Sequence, residues 1–221
     1  MNAKTKKLTM MAMLVAISYV IVALIHFPIF PAAPFLSYEP KDVIIAIGGF
    51  IFGPAAAVTI SVVVAMLEFL TYSATGIWGM LMNIVSSVSF AAVAALIYKR
   101  KHNMKGAVMG LITGIVTVTA MMLLWNYFVT PIYMGMPREE VAAMLIPIFL
   151  PFNLLKATLN TAWTLLLYKP VVTALRKTGL LPKPENGGSG KGKISVGLMV
   201  AAGLVLVSCI LLILVLNGVI G

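Results

Sequence analysis

The chain has 221 residues, of which 61% are hydrophobic and only 10% are charged. An ordinary soluble domain is about half apolar and a quarter charged, so this composition excludes that class. The formal net charge is +10, and the single cysteine, Cys209, excludes an internal disulfide and a thiolate metal cluster. We expect an all-α, polytopic membrane protein, because the apolar residues suffice for six or seven spans of about 20 residues.

Seven hydrophobic segments follow one another along the chain. They run approximately over Leu8–Phe27, Val43–Phe52, Ala55–Tyr72, Trp78–Tyr98, Gly106–Phe128, Val141–Tyr168 and Ile194–Val219. The second is short and ends at a Gly-Pro turn, which predicts a half-length helix shielded by neighbouring protein. We predict a six-helix transmembrane bundle over residues 1–180, a Pro/Gly/Ser/Lys linker over 181–193 and one extra transmembrane helix over 194–219.

The positive charges are distributed unevenly between the two sides of the membrane that these segments define. If the N-terminus is cytoplasmic, most of the 16 Lys and Arg residues fall on the cytoplasmic side, and only Lys41 and Arg138 fall outside. Cytoplasmic loops carry an excess of Lys and Arg, so we predict a multi-pass protein of the cell membrane with a cytoplasmic N-terminus. The basic composition then reports orientation in the bilayer and indicates no nucleic-acid partner.

The sequence contains no recognisable catalytic constellation. HExxH, GxSxG, paired carboxylates within the helices and Cys/His clusters are all missing, and a near match to a P-loop at Gly187–Lys193 has Ile194 where a Ser or Thr must hold the metal. We therefore predict no enzyme, no cofactor and no metal site. An autonomous ion-coupled secondary transporter, which would drive uptake without partner ATPases, is an alternative. It is disfavoured because no predicted helix carries an Asp or Glu deep in the membrane.

Polar residues inside the predicted membrane region concentrate in the fifth and sixth segments. Lys156 lies too deep in the sixth to be a terminal cation, and Asn153 and Asn160 share its helical face at i−3 and i+4. A buried ammonium is costly in hydrocarbon, and no carboxylate within the predicted helices is available to neutralise Lys156. We expect Asn126 and Lys156 to present an amide and a cationic donor to a neutral, carbonyl-rich ligand. For Asn160, hydrogen bonding between helices is the favoured interpretation.

The segment Phe27–Lys41 connects the first two hydrophobic segments on the predicted outer side. Its four prolines stiffen it, and its four aromatic residues provide flat contact surface. Glu39 and the following Asp42 offer acceptors for hydroxyl groups. An interfacial loop that binds nothing is the alternative, but a stiff aromatic loop that caps a polar cavity accounts better for this composition.

Small residues recur at four-residue spacing in two segments, at Ala12 and Ala16 in the first and at Gly106, Gly110 and Gly114 in the fifth. Such faces allow helices to approach closely. Packing within the chain is the favoured interpretation for the glycines. The small face of the first helix can equally receive another subunit, because this helix lies at an end of the sequence.

Several stretches resemble a known family. FLSYEPKDVIIAIGGFIFGP (Phe35–Pro54) resembles the first outer loop and second helix of the riboflavin-specific substrate-binding (S) subunit of energy-coupling factor (ECF) transporters. NYFVTPIYMG (Asn126–Gly135) and the Asn- and Lys-containing stretch Ile146–Asn160 resemble its fifth and sixth helices. AMLVA (Ala12–Ala16) is similar to the docking face of these subunits, and the resemblance extends in order over about residues 5–180.

The resemblance implies a six-helix bundle that captures riboflavin outside the cell for an ATP-driven vitamin importer. It implies as partners a transmembrane coupling subunit, which Ala12 and Ala16 would face, and two ABC-type ATPases. Asn126 and Lys156 would hold the pyrimidine edge of the isoalloxazine ring, and the outer loop would contact the ring or the ribityl chain. The residues expected to bind riboflavin are Leu36, Tyr38, Glu39, Asp42, Asn126, Asn153 and Lys156.

Two further expectations concern the ligand and the C-terminus. The scarcity of outer cations favours riboflavin over a phosphorylated flavin, since a phosphate would need more than Lys41 and Arg138. An S subunit for a different vitamin stays open as an alternative. The seventh segment departs from the six-helix pattern of the family, and the sequence assigns it no function.

Overall fold

A computed structural model describes residues 2–30, 33, 35–71, 75–177 and 196–219 of the protein. Within these ranges the fold is a helical bundle. Its helices are α1 (Ala3–Leu24), α2 (Lys41–Phe52), α3 (Pro54–Thr71), α4 (Gly76–Ser87), α5 (Val93–Arg100), α6 (Met104–Phe128), α7 (Thr130–Met134), α8 (Arg138–Met144), α9 (Leu150–Lys177) and α10 (Val196–Leu216). Short π-helical turns at Val88–Ala92 and Leu145–Phe149 join α4 to α5 and α8 to α9.

Six helical stretches of the described residues are long and apolar enough to cross a membrane. They are Lys4–Leu24, Pro54–Thr71, Gly76–Arg100, Met104–Phe128, Arg138–Lys177 and Val196–Leu216. The predicted all-α membrane bundle with an additional C-terminal helix is confirmed. The linker predicted over 181–193 lies outside the described residues, so the domain boundaries stay a prediction.

The short helix α2 lies at the centre of the bundle, as the second hydrophobic segment predicts. Every residue from Lys41 to Phe50 is buried, and α2 contacts α1, α3, α5 and α9. Gly53 ends the helix with a φ of +92°, a conformation that glycine adopts without strain, and Pro54 begins α3 at once. The tight Gly-Pro turn therefore folds α3 back against α2.

Between α1 and α2 the chain forms a small antiparallel hairpin at one end of the bundle. Strand β1 (Phe27–Pro28) pairs with β2 (Ser37–Tyr38), with Phe27 opposite Tyr38. The Phe35 ring lies 6.3 Å from that of Phe149, and the Phe30 ring lies 6.5 Å from that of Phe152. The predicted aromatic loop is thus packed against the start of α9 and the π-helical turn before it. We call this end of the molecule the hairpin end.

Glycines of α6 allow that helix to pack closely against α5 and the π-helical turn that precedes it. A Cβ on Gly110 would lie 2.5 Å from the carbonyl oxygen of Ala94, and one on Gly114 would lie 2.8 Å from that of Phe90. Real side chains do not tolerate these separations. The predicted role of these glycines in packing within the chain is confirmed.

The two alanines predicted to dock a partner lie on an exposed face of α1. Ala12 and Ala16 are exposed, whereas Met10 and Leu14 face the core with 4% and 2% exposure. The small face of α1 is therefore left open by the folding of this chain. Its role in docking stays a prediction.

Gly110→Ala should destabilise the protein, because the added methyl group meets backbone that cannot move aside easily. Overpacking of this kind costs about 1–3 kcal/mol, and thermal unfolding of the purified protein in detergent measures it. Gly203→Ala in α10 is the matched control, since no atom lies within 4 Å of its added Cβ. Equal unfolding temperatures for the two variants would contradict the close approach of α6.

Candidate functional site

A cavity of about 310 Å³ lies at the hairpin end, between the hairpin and helices α3, α4, α6 and α9. This volume is at the lower end of the range for small-molecule sites. The cavity has both polar and apolar walls. It is lined by His26, Phe35, Leu36, Ser37, Glu39, Glu68, Thr75, Gly79, Met82, Asn83, Ser86, Met122, Asn126, Tyr133, Met134, Phe152, Asn153 and Lys156. Five of the seven residues predicted to bind the ligand are brought together here.

Two buried asparagines supply amide groups from neighbouring helices. The Nδ2 of Asn126 donates to the carbonyl oxygen of Met122 at 2.7 Å, and the Nδ2 of Asn153 donates to that of Phe149 at the same distance. The Oδ1 of Asn126 also accepts a hydrogen bond from Thr130 at 2.9 Å. Since an amide NH₂ carries two N–H donors, each asparagine keeps one beyond these bonds. Both side chains are thus held in position by their own helices and retain capacity for a ligand.

Lys156 lies one turn beyond Asn153 on the same face of α9. Its Nζ is 3.5 Å from the Oε2 of Glu39 and 6.0 Å from the centre of the Phe152 ring. The expectation for Lys156 concerned only acids within the predicted helices, and the carboxylate that pairs with it lies outside them. The partner comes from the loop after β2, which folds inward far enough to reach the ammonium.

An ion cluster that the sequence did not reveal borders the cavity, since its members Glu39 and Glu68 line it. The Nζ of Lys41 lies 2.7 Å from both carboxylate oxygens of Glu68 and 2.9 Å from the Oε2 of Glu39. Asn83 donates to the Oε2 of Glu68 at 2.6 Å. Lys41 is only 2% exposed and Glu68 only 3%. The sequence predicts an outer position for Lys41 but indicates neither its burial nor its pairing with Glu68.

One sequence signal could have revealed this cluster. Lys41 is the first residue of α2, and the positive end of the helix dipole disfavours a cation there. A buried lysine in that position requires nearby carboxylates. No pattern in the sequence, however, shows which acids supply them.

The remaining two predicted residues, Tyr38 and Asp42, are buried behind the cavity and are not among the residues that line it. The Tyr38 hydroxyl donates to the Oδ1 of Asn160 at 3.0 Å, and the Nδ2 of Asn160 lies 3.4 Å from the Oδ2 of Asp42. Ser87 donates to the other oxygen of Asp42. This chain of hydrogen bonds links the hairpin to α9, α2 and α4, which confirms the structural role expected of Asn160. Contact of Tyr38 or Asp42 with a ligand stays a prediction.

The electrostatics of the loop favour ionised Glu39 and neutral Tyr38. Burial by itself would raise the pKa of Glu39, but the ammonium groups of Lys41 and Lys156 outweigh it and lower this pKa to about 2. Burial, aided by the charge of Asp42, raises the pKa of Tyr38 well above its usual range, so its hydroxyl remains a donor. Within the described ranges, no group of three or more His, Cys, Asp or Glu side chains could hold a metal ion.

The helices are long enough to span a membrane, and they enclose this cavity at one end of the bundle. This arrangement is typical of polytopic membrane proteins that bind a small organic ligand. The cavity offers amide and ammonium donors, paired charges and apolar side chains. This combination suits a ligand with one polar and one apolar part. A model of the family described as ECF transporter, substrate-specific component, matches residues 6–168. The chain belongs to this family.

Similar proteins include curated riboflavin transporters from several bacteria. Riboflavin transporter RibU of Staphylococcus aureus is 29% identical over 181 residues, covering 79% of this chain and 94% of the relative. Riboflavin transporter FmnP of Bacillus subtilis is 27% identical, over 72% of this chain and 87% of the relative. A solved S component of a bacterial ECF transporter is similar in fold, with a TM-score of 0.66 and 30% identity over 78% of this chain and 99% of the solved chain.

Glu39→Gln should lower the free energy of unfolding most at neutral pH, because it leaves two ammonium groups without their shared carboxylate. The folded-state pKa of Glu39 is depressed from 4.5 to about 2. The stabilisation is therefore fully present above about pH 4.5 and is lost as the pH falls towards 2. The difference in unfolding temperature between wild type and variant should be constant from about pH 8 to pH 5 and shrink in more acidic buffer.

Glu140→Gln, which removes an exposed acid of α8, is the control and should show no such change with pH. A destabilisation by Glu39→Gln that stays the same down to about pH 3 would contradict the buried ion pair.

Proposed function

We propose that this protein is the substrate-binding subunit of an ATP-driven vitamin importer and that it captures riboflavin from outside the cell. Membership of the S-component family supports the role, and relatives with the printed name riboflavin transporter support the ligand. The observation that carries the proposal is the meeting of Asn126, Asn153 and Lys156 on one cavity that Leu36 also lines.

The polar and apolar residues that line the cavity match the polar and apolar parts of a flavin. The isoalloxazine ring has a carbonyl and imide end, for which the amides of Asn126 and Asn153 and the ammonium of Lys156 offer donors and acceptors. Its benzenoid end is apolar and suits Leu36 and Phe152, which lie at the hairpin and at the start of α9. The Glu39 carboxylate, which also lines the cavity, suits the hydroxyl groups of the ribityl chain.

The charge balance of the cavity favours the free vitamin over its phosphate. The two ammonium groups, on Lys41 and Lys156, are matched by the carboxylates of Glu39 and Glu68. A phosphate would need cationic donors that are not already engaged. The cavity therefore favours uncharged riboflavin over a phosphorylated flavin.

The distribution of charges supports an orientation in the membrane, and the exposed face of α1 supports a docking site for a partner. The cavity lies at the hairpin end, whereas the lysines in the first turns of α1 and the basic residues at the end of α5 lie at the other end, which supports a cytoplasmic N-terminus. A transmembrane coupling subunit docks on the face that contains Ala12 and Ala16. ATP hydrolysis takes place in two ABC-type ATPases bound to that subunit, and this chain contributes the captured ligand.

Riboflavin added to the purified protein should be bound with quenching of flavin fluorescence, because the ring is packed against side chains in the cavity. A fluorescence titration, together with the absorption spectrum of the purified protein, measures this. Thiamine, biotin and folate serve as competitors and should leave the bound flavin in place. Failure to quench riboflavin, or its displacement by one of these vitamins, would contradict the proposed ligand.

Lys156→Ala should weaken riboflavin binding at least tenfold, equivalent to about 1.4 kcal/mol. The ammonium is one of the few cationic donors that face the cavity, and its loss also frees Glu39 to repel the ligand's carbonyl groups. Lys169→Ala is the matched control, since Lys169 is exposed on the same helix away from the cavity. Unchanged affinity in the Lys156 variant, with normal unfolding temperature, would remove this residue from the site.

A further inference from the structure

Helix α10 lies beyond the residues matched by the family model, which end at 168. It packs along α9 and exposes most of its apolar side chains, as a helix facing lipid does. Two of its residues are buried, Ala202 in the first half and Ile213 near the C-terminal end. The second of these points to a specific contact with the hairpin.

The C-terminal part of α10 contacts the hairpin directly. The Nδ2 of Asn217 donates to the carbonyl oxygen of Ile29 at 3.0 Å and to that of Ile213 at 2.8 Å. Ile213 and Cys209 also belong to the apolar cluster that contains Ile29 and Tyr38. Ile29 itself is fully buried and donates its N–H across the hairpin to Leu36 at 3.4 Å. The bond from Asn217 therefore attaches α10 to the paired part of the hairpin.

The hairpin separates the ligand cavity from a second, apolar cavity that α10 faces. Ser37 and Glu39 line the ligand cavity, whereas Tyr38 between them lines the second cavity, of about 340 Å³. Successive side chains of a strand point to opposite faces, which explains the alternation. Ile210 and Ile213 of α10 line the second cavity as well. The hairpin therefore lies between the ligand cavity and α10.

We propose that α10 positions the hairpin against the ligand cavity and thereby slows release of the ligand, with Asn217 as the positioning residue. A ligand that leaves past the hairpin requires Leu36 and Glu39 to move away from it, and therefore requires the hairpin to shift towards α10. The hydrogen bond to Ile29 and the contact with Ile213 both oppose that shift. The identity of the ligand rests on the proposed function, but the attachment of the hairpin does not.

Amide hydrogen exchange of the ligand-free, full-length protein tests the attachment without any ligand. Asn217→Asp keeps the size of the side chain but removes the N–H donor, and Ile213→Ala removes the apolar contact. Exchange at the amides of Ile29 and Leu36 should be at least about threefold faster in both variants, the change expected for loss of one net hydrogen bond. Leu212→Ala, on an exposed face of α10, is the control and should exchange as wild type. Unchanged exchange in both variants would overturn the proposal.

Release of riboflavin tests the consequence for the ligand. After rapid dilution of the loaded protein, recovery of flavin fluorescence should be at least about threefold faster in Asn217→Asp and Ile213→Ala, with a smaller change in the association rate. A merely structural role of α10 would lower the unfolding temperature but leave this rate unchanged, and that result would overturn the effect on release. If wild type binds no riboflavin, the proposed ligand fails, while the exchange experiment still decides whether α10 holds the hairpin.

Discussion

The buried ammonium of Lys41 is the interaction on which the hairpin end of this protein depends. It lies between the carboxylates of Glu39 and Glu68, and Glu39 in turn reaches Lys156. A buried charge that loses its partner costs about 3–5 kcal/mol, so the loop, α2, α3 and α9 are held in one arrangement. The same arrangement balances the charges of the cavity and leaves amide groups for an uncharged ligand.

The length of α2 explains why there is room for a cavity at this level. Its twelve residues span about 18 Å at 1.5 Å per residue, whereas the hydrocarbon core of a bilayer is about 30 Å thick. The helix therefore cannot reach both surfaces. Its start at Lys41 lies inside the bundle, and the hairpin with the cavity beneath it occupies the remaining depth. Elsewhere in the bundle, Gly110 and Gly114 allow α6 to pack closely against neighbouring backbone.

Sequence reasoning succeeded where the relevant information was local. Asn153 and Lys156 share a helical face by spacing alone, and both line the cavity. It gave no sign of partners that are distant in the chain, such as Lys41 and Glu68, which lie 27 residues apart and pair only in the fold. It likewise gave no sign that the Tyr38 hydroxyl bonds to Asn160, 122 residues away. No periodicity records such a pair.

The sequence by itself determined the all-helical membrane architecture, the half-length of α2 and the polar face of α9, because hydrophobic runs and helical spacing depend only on neighbouring residues. It also predicted an additional helix at the C-terminus without a role. Only the tertiary structure decided which charges pair, and that the hairpin lies between the ligand cavity and α10. The reason is that a buried charge or strand is stabilised by the residues that contact it in space. Folding of the chain, and not the order of residues along it, determines which residues those are.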